Sequence, residues 1–333
     1  MSPSIETFTA EHVAPAAELL AARHRALRAT RPELPASYEA PEAHRSALEA
    51  LVAEPMSHGV MALVDGRPGA FMLGYHRTPE IWARAAWSSI DGSAADPALG
   101  AAGAEVLRDA FAAWSEHFVD HGIFRQYAHA PVGTVDEGAW SDTGFGRMQA
   151  HAVRDVSDPG GEDPPGVELR RATPDDIDAI DPLLHLIQRQ LVGSPAWAIS
   201  LPEGMRTARA DWDDELRDPD AHLWVAMEGG RVLALSGVYE ATPGPMVPEG
   251  AWELGAAMTL TEARGRGLQR ALLRAALPEA IDAGASHLVT DWRTASLAAA
   301  RSWTALGWRP THHRLHRHVD ERVAWARSAV LRF

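Results

Sequence analysis

The 333-residue chain contains no cysteine. Disulfides, thiolate metal sites and a cysteine nucleophile are therefore excluded. Positive charge is also scarce: 31 Lys and Arg stand against 45 Asp and Glu, a formal net charge of −14. A nucleic-acid partner normally meets a basic surface, so none is expected, whereas a cationic partner, or solubility alone, suits this balance. No stretch approaches the roughly 20 apolar residues of a membrane helix. The N-terminal MSPSIETFTAEH lacks the basic and apolar regions of a signal peptide. The expectation is a cytoplasmic protein with no membrane partner, a monomer or a homodimer. The run HHRLHRH from His312 has no recognisable ligand spacing, and no metal is expected.

What is present reads as ordinary globular sequence, 46% hydrophobic and 23% charged, long for one domain and natural for two. Ser157–Gly166, SDPGGEDPPG, is rich in Pro, Gly and acids and reads as a linker. The segments on either side of it repeat. TAEHVAPAAELL from Thr9 matches TPDDIDAIDPLL from Thr173, each a Thr N-cap, an acidic first turn and an amphipathic helix, at an offset of 173 − 9 = 164. VMALVDGRPGAFMLGY from Val60 matches WVAMEGGRVLALSGVY from Trp224, two apolar strands around Asp65-Gly66 or Gly229-Gly230. Gly144 aligns with Gly307, an offset of 163.

Two copies of one α/β module follow, residues 1–156 and 167–333, joined by the linker at 157–166. Each reads as a mixed, mostly antiparallel sheet with helices on both faces. In the second copy the elements begin at Val167 (strand), Asp175 (helix), Leu223 (hairpin), Trp252 (long strand), Leu268 (helix), His287 (strand) and Ala295 (helix). The closing strand spans Thr311–Val319.

The most informative stretch is AWELGAAMTLTEARGRGLQRALL, Ala251–Leu273. An apolar strand enters an Arg/Gly turn and leaves it as a helix. Free N–H groups, the positive helix end and the close approach that glycine permits make such a turn an anion site. Arg264 and Arg266 add charge able to bond phosphate oxygens. Neither a P-loop Gly-Lys-Ser/Thr nor a dinucleotide G-x-G-x-x-G accompanies it.

Val167–Val319 resembles the GNAT superfamily of CoA-dependent N-acetyltransferases. The resemblance rests on Arg264-Gly-Arg-Gly267-Leu-Gln269 at the start of the central helix, with Gln269 where the family usually has Gly or Ala. A second motif follows, ASLAAARSWTALGWRP, in which Ser296, Ala299, Trp303, Gly307 and Trp308 keep the family spacing. The resemblance implies an acetyl-CoA:amine N-acetyltransferase working by direct attack in a ternary complex, with a small-molecule or peptide primary amine as acceptor. It implies cofactor contacts from Met258, Thr259, Leu260, Arg264, Gly265, Arg266, Gly267, Leu268, Gln269, Arg270, Ser296, Ala299 and Trp303. Backbone groups near Met258–Leu260 would splay from the next strand to hold pantetheine. A mycothiol-synthase-like enzyme and a non-catalytic CoA-binding sensor or scaffold are the alternatives.

Acyl transfer needs a base for the ammonium and a donor toward the developing oxyanion. Members with a Glu base carry it eleven residues before the glycine signature, and 264 − 253 = 11 places Glu253 there. A carboxylate buried in this apolar strand would have a raised pKa; on the solvent side of the strand it would not. Trp303 stands where many members have a proton-donating Tyr, and an indole cannot supply that proton. Either CoA leaves as thiolate, or Tyr239, His312 or His313 donates. Acidic and aromatic residues in Leu183–Leu216, namely Trp197, Trp212, Asp211, Asp213, Asp214 and Glu215, either form a solvated helix face or meet a cationic acceptor. In the first copy the offset puts Gly100, Ala102 and Gly103 at Arg264, Arg266 and Gly267, Ser89 at Glu253, Gly133 at Ser296 and Trp140 at Trp303. A degenerate, non-catalytic module is expected there, covering the catalytic module or shaping its cleft.

Overall fold

The computed structural model describes residues 3–79 and 82–330. The strands are β1 (Ser4–Thr7), β2 (His58–Val64), β3 (Arg67–Arg77), β4 (Ala85–Trp87), β5 (Ser93–Ala95), β6 (Arg125–Pro131) and β7 (Gly146–Asp155). They continue as β8 (Glu168–Arg171), β9 (His222–Glu228), β10 (Arg231–Glu240), β11 (Trp252–Thr259), β12 (His287–Arg293) and β13 (Arg309–His318). The helices are α1 (Val13–Arg28), α2 (Glu42–Ala53), α3 (Ala101–Asp120), α4 (Val135–Asp142) and α5 (Ile177–Ile180). The remainder are α6 (Leu186–Leu191), α7 (Pro202–Arg217), α8 (Leu268–Asp282), α9 (Leu297–Ala305) and α10 (Arg322–Val330). The element starts read from the second copy fall within a few residues of these bounds.

Local chemistry accounts for the shared landmarks. Thr9 and Thr173 each close a reciprocal capping box, with His12 and Asp176. Both hairpins turn through two residues at positive φ, Asp65 and Gly66 at 50° and 74°, Gly229 and Gly230 at 56° and 78°. That is the geometry whose twist matches paired strands.

The chain divides into two compact units, Met1–Gln149 with Thr311–Phe333 (unit 1) and Ala150–Pro310 (unit 2). Each is a mixed, mostly antiparallel sheet with flanking helices; parallel pairs include β4·β6 in unit 1 and β11·β12 in unit 2. The repeat extends to strand register. In unit 1, β3·β5 pairs Ala70↔Ala95, Phe71↔Ala94 and Met72↔Ser93. In unit 2, β10·β11 pairs Ala234↔Thr259, Leu235↔Met258 and Ser236↔Ala257, the same set displaced by 164.

In unit 2, α8 packs Leu268 and Leu272 with Leu233, Leu235, Ala256 and Met258. Further along, its Leu273, Ala276 and Leu277 join Trp252, Leu254, Leu288 and Trp303. Trp252, Leu254, Ala256 and Met258 are thus buried, while Glu253, Ala257 and Thr259 are half-buried and Gly255 is exposed. The Ser157–Gly166 linker is laid along α8. Arg274 donates to Asp158 at 3.2 Å, Asp163 at 2.7 Å and the carbonyls of Gly160 and Gly161 at 2.7 Å each.

The compact units and the sequence repeat divide the chain at different places. Strand β13 closes the second repeat, yet it pairs with β6 of unit 1 from His312↔Pro131 to His318↔Arg125. Its Leu315 is buried in the unit 1 core with Phe111, Trp140 and Phe145. Arg327 of α10 adds bonds to Glu116 at 2.9 Å and Asp120 at 2.7 Å on α3. Leu315→Ala should therefore cost about 3 kcal/mol in unit 1. Hydrogen exchange should show lost protection in peptides covering 125–131 and not in those covering 252–259.

Candidate functional site

The site of unit 2 starts from a break in a strand ladder. Gly237 pairs with Ala256 and Val238 with Leu254, so Gly255 is an extra residue, a β-bulge in β11. On its other edge β11 pairs with β12 only at Trp252↔Leu288 and Glu253↔Val289. The Thr290 hydroxyl then donates to the Leu254 carbonyl at 2.7 Å. Beyond that point β11 runs on with β10 alone among the described residues. The Leu260 N–H donates to Leu233 O at 2.9 Å. Antiparallel alternation then turns the backbone groups of Met258 and Leu260 toward β10, and those of Ala257 and Thr259 to the open edge. Of the three backbone contacts expected there, Thr259 alone faces outward. Met258 and Leu260 are buried in the core. Ala257 was not singled out from sequence, because finding it requires the register at the bulge.

The open edge leads into the Arg/Gly turn. Gly265 and Gly267 have φ of 79° and 80°, and a Cβ at either would meet nothing within 4 Å. Conformation, not space, requires glycine there. Gly267 caps α8 without side-chain help, and the first intrahelical bond runs from Ala271 N–H to Gly267 O. The N–H groups of Leu268, Gln269 and Arg270 therefore have no intrahelical acceptor. Gln269 acts as a fastener: its Nε2 donates to Met258 O at 2.9 Å, Leu235 O at 3.1 Å and Thr259 Oγ1 at 3.1 Å. The side chain thus turns toward the sheet and leaves the helix mouth to backbone.

The cations around this turn differ in availability. Arg264 is exposed, its Nε 3.4 Å from Thr259 O. Arg266 forms a fork with Glu228 at 3.2 and 2.6 Å, which holds the Glu228 carboxyl below its usual pKa. Arg270 lies against the linker, where a Cβ on Gly161 would collide with its guanidinium.

Glu253 and Tyr239 are direct cross-strand partners. The Tyr239 ring covers the bulge: a Cβ on Gly255 would stand 3.0 Å from it, and one on Gly237 2.5 Å from its hydroxyl. Burial raises the Glu253 pKa, and the charge of Asp291 raises it further. Burial likewise raises the Tyr239 phenol, joined by a hydrogen bond to Glu215 and the charges of Glu215, Glu253 and Asp218. Of the acids expected to face the acceptor, Glu215 is the one turned to this point. Asp211 accepts from Thr207 at 2.9 Å, and Asp213 pairs with Arg217. Trp197 is 73% exposed, whereas Trp212 packs against the core.

The second motif is less available to a ligand. Gln190 donates to Ser296 Oγ at 2.6 Å, Ala299 packs beside the core, and Trp303 lies within it, edge-on to Trp308. His312 and His313, possible proton donors from sequence, belong to unit 1 through the β6 pairing. His313 is buried there, its Nδ1 3.7 Å from Glu137.

Unit 1 corrects one equivalence. Tyr75↔Trp87 in β3·β4 corresponds to Tyr239↔Glu253, so the counterpart of Glu253 is Trp87 and not Ser89. The connection from β4 to β5, Ser88–Gly92, is two residues longer than Leu254–Ala256, and a constant offset misses that insertion. The glycine turn has no counterpart there either. Helix α3 begins at Ala101, so the counterparts of Gly265 to Gly267 lie inside it.

With this geometry in hand, the comparisons are direct. Residues 187–308 match the Acetyltransferase (GNAT) family, and that segment is a GNAT domain. A GCN5-related N-acetyltransferase from Sphaerobacter thermophilus superposes at TM-score 0.56 with 15% identity, over 95% of each chain. A glucosamine N-acetyltransferase region of a fungal multi-domain GH3 β-N-acetylglucosaminidase gives 0.52 with 13% identity, over 95% of this chain and 38% of that one. At such identities these likenesses speak for the fold. No curated protein matches the sequence. No described helix is long and apolar enough to cross a membrane.

The raised pKa of Glu253 carries a stability consequence. Folding disfavours its ionised form, so the contribution is favourable below the unfolded-state pKa and is lost as pH rises through the folded one. Glu253→Gln should therefore be more stable than the parent at pH 7, with the difference shrinking toward pH 4 in urea titrations.

Proposed function

We propose that unit 2 transfers an acetyl group from acetyl-CoA to a primary amine of a small molecule or peptide by direct attack in a ternary complex. The observation that carries this reading is the open edge of β11, which runs from a carboxylate of raised pKa straight into a glycine turn at a helix N-terminus. Acetyl-CoA would supply a thioester whose C–S bond breaks as the C–N bond to the amine forms. The outward N–H groups of Ala257 and Thr259 suit the amides of an extended arm. Gly265, Gly267 and the free N–H groups of Leu268, Gln269 and Arg270 suit its pyrophosphate, with Arg264 the more available cation. Glu253 takes the proton of the incoming ammonium, and its neighbours Glu215 and Asp291 favour a cationic acceptor. Tyr239 is a poor acid, because its proton is held by a carboxylate and its phenolate would sit among negative charges. The thiol leaves as thiolate, tolerable for a group of pKa about 8.5.

Thiol release from acetyl-CoA, followed across an amine panel, tests the assignment. Glu253→Gln should lower kcat/KM roughly 10²- to 10⁴-fold with little change in acetyl-CoA affinity. The acidic limb of the kcat/KM profile should lie above the ordinary glutamate range and move down in Asp291→Asn. Arg264→Ala should weaken acetyl-CoA binding by about tenfold or more, and Arg266→Ala by less, since Glu228 already engages it. Full activity of Glu253→Gln at every pH would remove it as the base. Unchanged acetyl-CoA affinity in the double arginine variant would remove the phosphate assignment.

A further inference from the structure

Unit 1 has the same strand edge as unit 2, and its own side chains occupy it. Leu73 N–H donates to Gly92 O at 2.7 Å and Asp96 N–H to Gly69 O at 2.8 Å. By alternation Ser93 and Ala95 turn their backbone groups away from β3, as Ala257 and Thr259, displaced by 164, turn theirs from β10. Arg23 of α1 reaches this edge. Its guanidinium donates to the carbonyl of Ser93 in a short bond and to that of Ile90 at 2.7 Å. Facing it at 3.7 Å is Asp136, in the first turn of α4. The nearby Ala95 N–H eases the burial of the Asp136 carboxylate, whose two oxygens complete no hydrogen bond. Both side chains are almost wholly buried, Arg23 at 4% and Asp136 at 1% exposed.

The corresponding positions of unit 2 carry no charge: 23 + 164 gives Ile187 and 136 + 163 gives Ala299. We infer that the buried Arg23–Asp136 pair fills the slot of unit 1 that corresponds to the acyl-CoA channel of unit 2, with Arg23 taking backbone carbonyls along the edge that a pantetheine arm would otherwise meet and Asp136 balancing its charge. The chain accordingly has one acyl-CoA site. A buried pair is a poor source of stability compared with apolar packing, so its retention fits a role at this edge. With α3 starting a turn early, the pair leaves unit 1 neither channel nor anion turn. The inference rests on the acyl-CoA reading of unit 2 for what the slot once held.

Hydrogen exchange on the full-length protein, with and without CoA, tests it. In the ligand-free protein the amides at 93–96 should be protected. Protection should fall in Arg23→Met/Asp136→Leu, which keeps apolar volume, while that of 60–64 stays. Equal exchange in the two proteins overturns the inference. Added CoA should protect 256–270 and leave 92–104 unchanged, with one equivalent bound by calorimetry. CoA-induced protection at 92–104, or two equivalents, overturns the plug whatever unit 2 does. Absence of protection at 256–270 instead overturns the acyl-CoA reading, and the ligand-free comparison still decides whether the pair seals the edge.

Discussion

A strand inside a sheet has two rows of backbone donors and acceptors, and burial makes each unpaired group expensive. Unit 2 is arranged around a strand that leaves one row open. The bulge at Gly255 and the Thr290 hydroxyl end the β11·β12 ladder after two residue pairs. Every feature of the site follows from that opening: the outward N–H groups, the carboxylate at the point of divergence, and the helix mouth at the far end. Gln269 stops the gap from spreading, because its one amide nitrogen bonds acceptors on both β10 and β11.

The same constraint has two solutions in one chain. In unit 2 the edge of β11 beyond Glu253 pairs with β10 alone among the described residues, and Glu253 stays costly in its charged form. In unit 1 the Arg23 guanidinium bonds two carbonyls along the edge, with the Asp136 carboxylate facing it. The counterpart of Glu253 there is Trp87, tilted against Tyr127 at 4.7 Å between ring centroids. The absence of a carboxylate at Trp87 and the presence of Arg23 at the edge are separate differences between the units, carried by different elements.

Much of this was legible from residues alone. The repeat, the hairpin turns, the Thr caps and the start of α8 depend on local chemistry, so periodicity and turn residues located them. Glu253 and the Arg/Gly turn are singled out by spacing along one continuous segment, which the structure forms as one strand, turn and helix start. What was misplaced depended on register or tertiary pairing. Ala257 rather than Met258 faces outward because a bulge decides the phase. Ser89 was taken for Trp87 because a two-residue insertion is invisible to a constant offset. The lower availability of Arg266 depends on its partner Glu228, 38 residues away in sequence. Trp303, expected at the cofactor, is core. The Arg23–Asp136 pair left no local signal, since its partners are 113 positions apart (136 − 23 = 113).

The placement of β13 in unit 1 makes that unit discontinuous, with unit 2 inserted in its middle. Synthesis runs from the N-terminus, and domains generally fold as units once their residues have emerged. Unit 2 is complete when Pro310 is made. Unit 1, part of which precedes unit 2, waits with that edge of β6 unpaired until β13 leaves the ribosome. The order of maturation is thus inverted relative to the order of synthesis: the inner unit is whole while the outer one is still unfinished. An unpaired strand edge invites association with other chains, so the interval before β13 docks is when a nascent chain is most exposed to misassembly.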